Sequence, residues 1–153
     1  MRVSAKTDYA LRAAVELAAA APGGTPVKGE RLATSQSIPL RFLENILLQL
    51  RHAGIVESRR GADGGYKLAR APEEITLADV IRAIDGPLAG VSGQRPETLD
   101  FKGRSEPLRE VWVAVRASLR SVLEQVTLAD VAAGELPPNV RELTEAPDAW
   151  VSH

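Results

Sequence analysis

Apolar positions recur along this chain with two different periods. Leu11, Ala14, Val15 and Ala18 follow the spacing i, i+3, i+4, i+7, which predicts a helix from Ser4 to about Ala21. Pro22, Gly23 and Gly24 close it. A short helical stretch follows over about Lys28 to Gln36. Ser37, Ile38 and Pro39 read as the next helix start, with Ser near the cap and Pro in the first turn. Leu43, Ile46, Leu47 and Leu50 repeat the helical spacing, and Gly54 predicts its end. The period then changes. Ile55–Arg59 and Tyr66–Ala69 are short strand-like runs around Gly61, Ala62, Asp63, Gly64 and Gly65, the pattern of a hairpin.

Thr76 opens a further helix, TLADVIRAID, which stops at Gly86-Pro87. From Leu88 to Arg104 there is no periodicity, and an irregular loop of that length is often functional or mobile. Leu108, Trp112, Val115, Leu119, Val122 and Val126 then step by 4, 3, 4, 3, 4, a narrow apolar seam on a predicted helix from about Ser105 to Val126. The string TLADV recurs at Thr127–Val131. A Thr-x-x-Asp cap used twice explains this more simply than a duplication. Pro137, Pro138 and Pro147 predict an irregular, partly disordered tail.

Composition narrows the chemistry. The 153 residues suit one domain, or a small domain with an extension, and 44% are hydrophobic, enough for a real core. The absence of cysteine excludes disulfides, thiol nucleophiles, thiolate zinc sites and cysteine-held iron–sulfur clusters. Two histidines, His52 and His153, are too few for a typical histidine metal site, and no metal or other cofactor is expected. No apolar run reaches the length of a membrane span and the first residues lack a signal-peptide core, so a cytoplasmic protein without membrane contact is expected. The net charge of −1 conceals an asymmetry: residues 1–70 hold 11 Lys/Arg and 6 Asp/Glu, residues 71–153 hold 8 and 14. A basic first half suits a polyanionic partner, although chance segregation on a solvated surface gives the same count.

Three helices, a tight strand pair with a glycine-rich loop, then more helix is the order of a winged helix-turn-helix. The third helix needs one apolar face to seat on the first two and another free for a major groove. Leu43, Ile46, Leu47 and Leu50 supply the first; Arg41, Glu44, Asn45, Leu48 and His52 lie on the second. Arg can read guanine edges, Asn adenine, and Glu can accept from cytosine. Pro39 stands where a phosphate would meet the helix N-terminus. Arg59 and Arg60 lead into Gly61, so the loop is suited to a minor groove. Lys6 and Lys28, near two helix starts, are candidate phosphate clamps. Singly, Arg41 and Arg51 read as solvated helix charges, Arg59-Arg60 as an ordinary turn and Trp112 as core. Their order and spacing make the joint reading. No nucleophile–base pair stands at a telling spacing, which argues against an enzyme.

Three stretches, MRVSAKTDYALRA, IPLRFLENILLQLRHAGIVESRRGADGGYKLAR and ITLADVIRAIDG, together with the Leu-x-x-Val-Trp pattern and the second TLADV, resemble the Rrf2 family of bacterial winged-helix transcription regulators over roughly residues 1–135. The resemblance implies a mainly α fold with a small β-hairpin wing and a long dimerisation helix. It divides the chain into a DNA-binding region (1–86), an irregular loop (87–104), a dimerisation helix with a short following helix (105–135) and a flexible tail (136–153). It implies a homodimer, paired through the seam, acting as a repressor-type regulator on double-stranded DNA at a dyad-symmetric operator. By position, Arg41 and Glu44 fall on base-contacting sites, and Arg60 on the wing's minor-groove arginine. Cluster-binding members carry three cysteines in the loop equivalent to about Val91–Ser105, and some supply a carboxylate near Asp8. Here the loop has no thiol, so that sensing chemistry is not carried over. An effector, small molecule or protein, would act through the 88–104 loop and the long helix. The competing reading is an adaptor whose DNA binding depends on a second protein.

Overall fold

The computed structural model describes residues 2–152; His153 lies outside them. Helix α1 (Ala5–Ala20) begins where the Ser4 hydroxyl accepts from the Thr7 N–H at 3.1 Å. It is followed by α2 (Gly29–Gln36), α3 (Leu40–His52), the antiparallel strands β1 (Val56–Arg59) and β2 (Gly65–Leu68), and α4 (Leu77–Asp85). Beyond these lie α5 (Leu108–Leu123), α6 (Leu128–Ala133) and α7 (Pro138–Glu145). The architecture is mainly helical with one two-stranded hairpin, as expected.

Helix α1 is the hub, packing against α2, α3, α4 and α6. Its buried face is Thr7, Ala10, Ala13, Ala14, Leu17 and Ala18. The predicted stripe was displaced: Leu11 and Val15 are only half-buried. The cause is the alanines, whose small side chains let several helices approach closely, so the tightest contact follows the smallest residues and not the largest. The other core residues include Leu32, Leu43, Ile46, Leu47, Leu50, Ile55, Val56 and Ile75, all nearly inaccessible. Burial of one such leucine stabilises by roughly 1.5–3 kcal/mol.

Ser37 does not cap α3. It adopts a left-handed conformation, φ 53°, and its N–H closes α2 by donating to the Ala33 and Thr34 carbonyls. Pro39 then occupies the N-cap of α3, one position before the first turn. The helix-turn-helix corner is therefore made by a C-cap, with Ile38 buried beneath it.

The two TLADV segments each form a full capping box: the Thr76 and Thr127 hydroxyls accept from the Asp79 and Asp130 N–H groups, and the Asp side chains accept from the Thr N–H groups. The segments also meet. Thr76 and Thr127 form an antiparallel bridge, Leu77 N–H donates to the Val126 carbonyl and Leu128 N–H to the Ile75 carbonyl, both at 2.9 Å. Leu128 is buried in the core with α1. The chain thus leaves the first core after α4 and returns to it at α6.

Two regions differ from expectation. The 88–104 segment is irregular, but it is pinned: Leu88, Pro96 and Leu99 are buried, and Val91 and Gln94 exchange backbone hydrogen bonds at 3.0 and 2.9 Å. The tail contains α7, because Pro138 at the first helical position has its φ preset for a helix and lacks only an N–H that would have no partner there. Asn139 Nδ2 anchors α7 by donating to the Ser121 carbonyl of α5 at 3.0 Å.

Candidate nucleic-acid interface

Helix α3 separates two faces cleanly. Leu43, Ile46, Leu47 and Leu50 are fully buried, while Arg41, Phe42, Glu44, Asn45, Leu48 and His52 are exposed. Asn45 is held on the surface by its Oδ1, which accepts from Gln49 Nε2 one turn later at 2.9 Å. Arg41, Arg59 and Arg60 make no ion pair within 4 Å among the described residues, so their charge remains free for another anion.

The hairpin owes its shape to its glycines. Gly61 has φ +101°, open to glycine alone at low cost. At Gly64 a Cβ would stand 2.2 Å from the Arg59 carbonyl oxygen, and at Gly65 it would stand 2.5 Å from the Val27 carbonyl oxygen. The second approach is close because Val27 pairs with Tyr66 through two backbone bonds of 2.8 Å, adding a bridge to the two-stranded hairpin. Arg59 ends β1, and Arg60 and Gly61 begin the exposed tip.

Two side chains hold this hairpin against the helices, and an ion pair joins its strands. Lys28 Nζ donates to the Gly61 carbonyl at 3.2 Å, and Arg51 Nη1 donates to Ser58 Oγ at 3.1 Å. Lys67 and Glu57 pair across the strands at 2.9 Å. Lys28, expected as a phosphate clamp, is thus drawn to the wing tip. Lys6 sits half-buried in the first turn of α1, and Pro39 is exposed at the corner. Arg51 has the spacing of a solvated helix charge; its tie to the wing is non-local, and nothing in that spacing signals it. The same holds for the Tyr9–Phe42 edge-to-face pair, 5.7 Å between centroids, with Arg12 4.7 Å above the Tyr9 ring.

The seam residues divide. Leu108 and Val115 are 42% and 37% exposed, and Trp112, Leu119 and Val122 are half-buried. Val111, absent from the predicted seam, is 50% exposed on the same helix. Val126 is not a seam residue. The helix ends at Leu123, and Val126 is buried within its own chain beside α4, where its carbonyl serves Leu77.

Metal-ligating chemistry is sparse. No cluster of three or more His, Cys, Asp or Glu suited to a metal lies among the described residues, and the chain has no thiolate to offer. Asp8 is exposed and paired with Arg12 at 3.1 Å. Among the described residues no helix is long and apolar enough to cross a membrane.

A family model, Rrf2, described as iron-dependent transcriptional regulator, matches residues 3–134. The chain belongs to the Rrf2 family. It is 53% identical over 145 residues to an HTH-type transcriptional regulator of Mycobacterium tuberculosis, covering 95% of this chain and 89% of the relative. It is 36% identical over 132 residues to the HTH-type transcriptional regulator CymR of Bacillus subtilis, covering 86% and 90%. The solved structure of CymR, the global cysteine regulator of that organism, has a TM-score of 0.74 at 34% identity, over 88% of this chain and 98% of the other. IscR of T. potens gives 0.68 at 33% identity, over 100% and 93%. This Rrf2 protein is accordingly a DNA-binding transcriptional regulator, and its family and named relatives are regulators, not enzymes. The donor set does not fit the iron–sulfur chemistry of cysteine-bearing Rrf2 regulators, since the loop from 88 to 104 offers carboxylates and no cysteine or histidine.

Proposed function

We propose that this Rrf2 protein is a repressor that binds a dyad-symmetric operator as a homodimer and carries no iron–sulfur cluster. One observation supports the reading above the others: α3 keeps one face fully buried and offers Arg41, Glu44 and Asn45 on the other, with unpaired Arg59 and Arg60 on the adjoining hairpin. In this reading α3 enters the major groove. Arg41, Glu44 and Asn45 meet base edges, and Arg60 with Gly61 reaches the minor groove. Lys6 and Lys28 face phosphates, and Pro39 leaves the start of α3 open to one.

The homodimer reading draws on α5. Sixteen residues long, it has no buried side chain in a single copy, and its apolar residues include Leu108, Val111, Trp112, Val115, Leu119 and Val122. A second α5 would cover them and fix the separation of two recognition helices. An effector that favours one separation would change operator affinity through its preference for that dimer geometry.

The test is selection of bound sequences from random DNA by the protein alone, at stated salt, followed by gel shift with wild type and Arg60→Ala. A palindromic site is expected, with Arg60→Ala weakening binding by roughly 1–3 kcal/mol. Unchanged affinity removes the wing from the interface. Binding that needs a second protein replaces this reading with the adaptor.

A further inference from the structure

We propose that the groove between α4, the segment after it and α5 is a binding site for a small oxyanion, one bearing two or more carboxylate or phosphate groups. Arg82 of α4, Arg95 of the irregular segment, and Arg116 and Arg120 of α5 line a cavity of about 450 Å³. Residues 71–153 contain 8 Lys/Arg in a strongly acidic half, and four of them gather here. Chance dispersal on a solvated surface does not concentrate like charges from three separate elements into one depression, where their mutual repulsion is a standing cost.

Two carboxylates partly balance the four guanidinium groups. Glu124 accepts from Arg82 and from Arg120, the latter at 2.9 Å, and Glu97 pairs with Arg116. Arg95 has no ion-pair partner within 4 Å among the described residues. The groove therefore carries an excess of two positive charges, matched by a dianion. Guanidinium forks bind carboxylate and phosphate oxygens two at a time, which gives a planar ligand both affinity and orientation. Pro87 and buried Leu88 form an apolar side wall for a short carbon skeleton, and the volume lies within the range of small-molecule sites.

The location gives such a ligand leverage. Arg82 and Glu124 tie α4 to α5 across the groove. The same end of α4 is tied in turn to α1, since the Ser4 and Thr7 hydroxyls donate to the Asp85 carboxylate, one turn from Arg82. A bound dianion competes with Glu97 and Glu124 for the same guanidinium groups and so exchanges the α4–α5 tie for one through the ligand. Its effect on operator affinity rests on the function proposed above, and by linkage operator DNA changes ligand affinity by the same factor. The binding itself does not depend on that function.

Calorimetric titration of the full chain without DNA, at fixed ionic strength, tests the site with citrate and with inorganic pyrophosphate as probes. At least one probe should bind saturably, at one per chain. The probe that binds tells whether the site takes carboxylate or phosphate. Arg95→Ala, which removes a side chain with no ion pair to lose, should weaken binding by about tenfold, as expected for a charge-assisted bidentate contact. Glu97→Gln should strengthen it severalfold by removing the internal competitor. Arg104→Ala, in the same half but outside the groove, should change it less than twofold. The site is overturned if neither probe saturates, if Arg104→Ala weakens binding as much as Arg95→Ala, or if Glu97→Gln leaves affinity unchanged. Saturable binding with no change in gel shift keeps the site and overturns its coupling to the operator.

Discussion

Helices α1 and α5 have the same length, 16 residues, and opposite fates. Helix α1 buries six side chains, mostly alanine, and is surrounded by its own chain. Helix α5 buries none, although its apolar residues are larger: leucine, valine and tryptophan. Size of side chain therefore does not decide what is inside. Small residues allow helices to close around α1, whereas α5 keeps Leu108, Val111 and Val115 exposed and Trp112, Leu119 and Val122 only half-buried. One helix organises a fold, and the other is suited to organising an assembly.

The contrast yields experiments that break it or sharpen it. Leu17→Ala, on the buried face of α1, should cost about 2–5 kcal/mol of unfolding stability by denaturant titration. Val115→Asp should leave unfolding of the separate chain nearly unchanged and abolish the dimer in sedimentation. If Val115→Asp unfolds the chain and leaves the oligomer intact, α5 belongs to an internal core and the contrast is wrong. A smaller effect is expected at the caps: Thr127→Ala should cost about 1 kcal/mol, because it leaves the first N–H groups of α6 without their side-chain acceptor.

The smallest effect is a pH dependence. Hydrogen bonds from Arg82 and Arg120 hold the Glu124 carboxyl below the usual glutamate range, and Glu97 is lowered by a backbone N–H and by Arg116. A carboxyl lowered in the folded state stabilises the charged form, so its contribution is complete above the ordinary glutamate range. It is lost as pH falls through the lowered folded values. The tie between α4 and α5 should thus loosen in acid, and Glu124→Gln should flatten that part of a stability–pH profile.

Much of this was legible in the sequence because it is local. The buried stripe of α3 follows from its period, the hairpin from Gly61, Gly64 and Gly65, and both capping boxes from Thr-x-x-Asp. The exposed positions expected on α3 and the wing are on the surface, and Arg59, Arg60 and Gly61 adjoin one another at its tip. The rest depends on distant partners. The burial of Val126 depends on α4, to which nothing in the seam's own spacing points. Val27 pairs with Tyr66 from almost forty residues away in sequence. Ser37 carries a residue type that favours an N-cap, and only its backbone conformation assigns it to the helix before. The stripe of α1 holds at Ala14 and Ala18 and fails at Leu11 and Val15, because spacing alone does not show that neighbouring helices close most tightly on the alanines. In the tail, three prolines carry the pattern of breakers, although Pro138 stands where proline starts a helix.

The paired TLADV segments have a consequence for how the molecule can be divided. Since α6 returns after α5 to bury Leu128 against α1, the helix-turn-helix is not a detachable head. Cutting after residue 86 would strip a wall from its hydrophobic interior and leave the Ile75 carbonyl and the Leu77 N–H without their partners. Helix α5 is then joined to the helical core on both sides, through α4 before it and through α6 after it. On the proposed DNA contacts, new specificity is to be sought by changing the surface of α3 and the wing tip, never by exchanging the first half as a cassette.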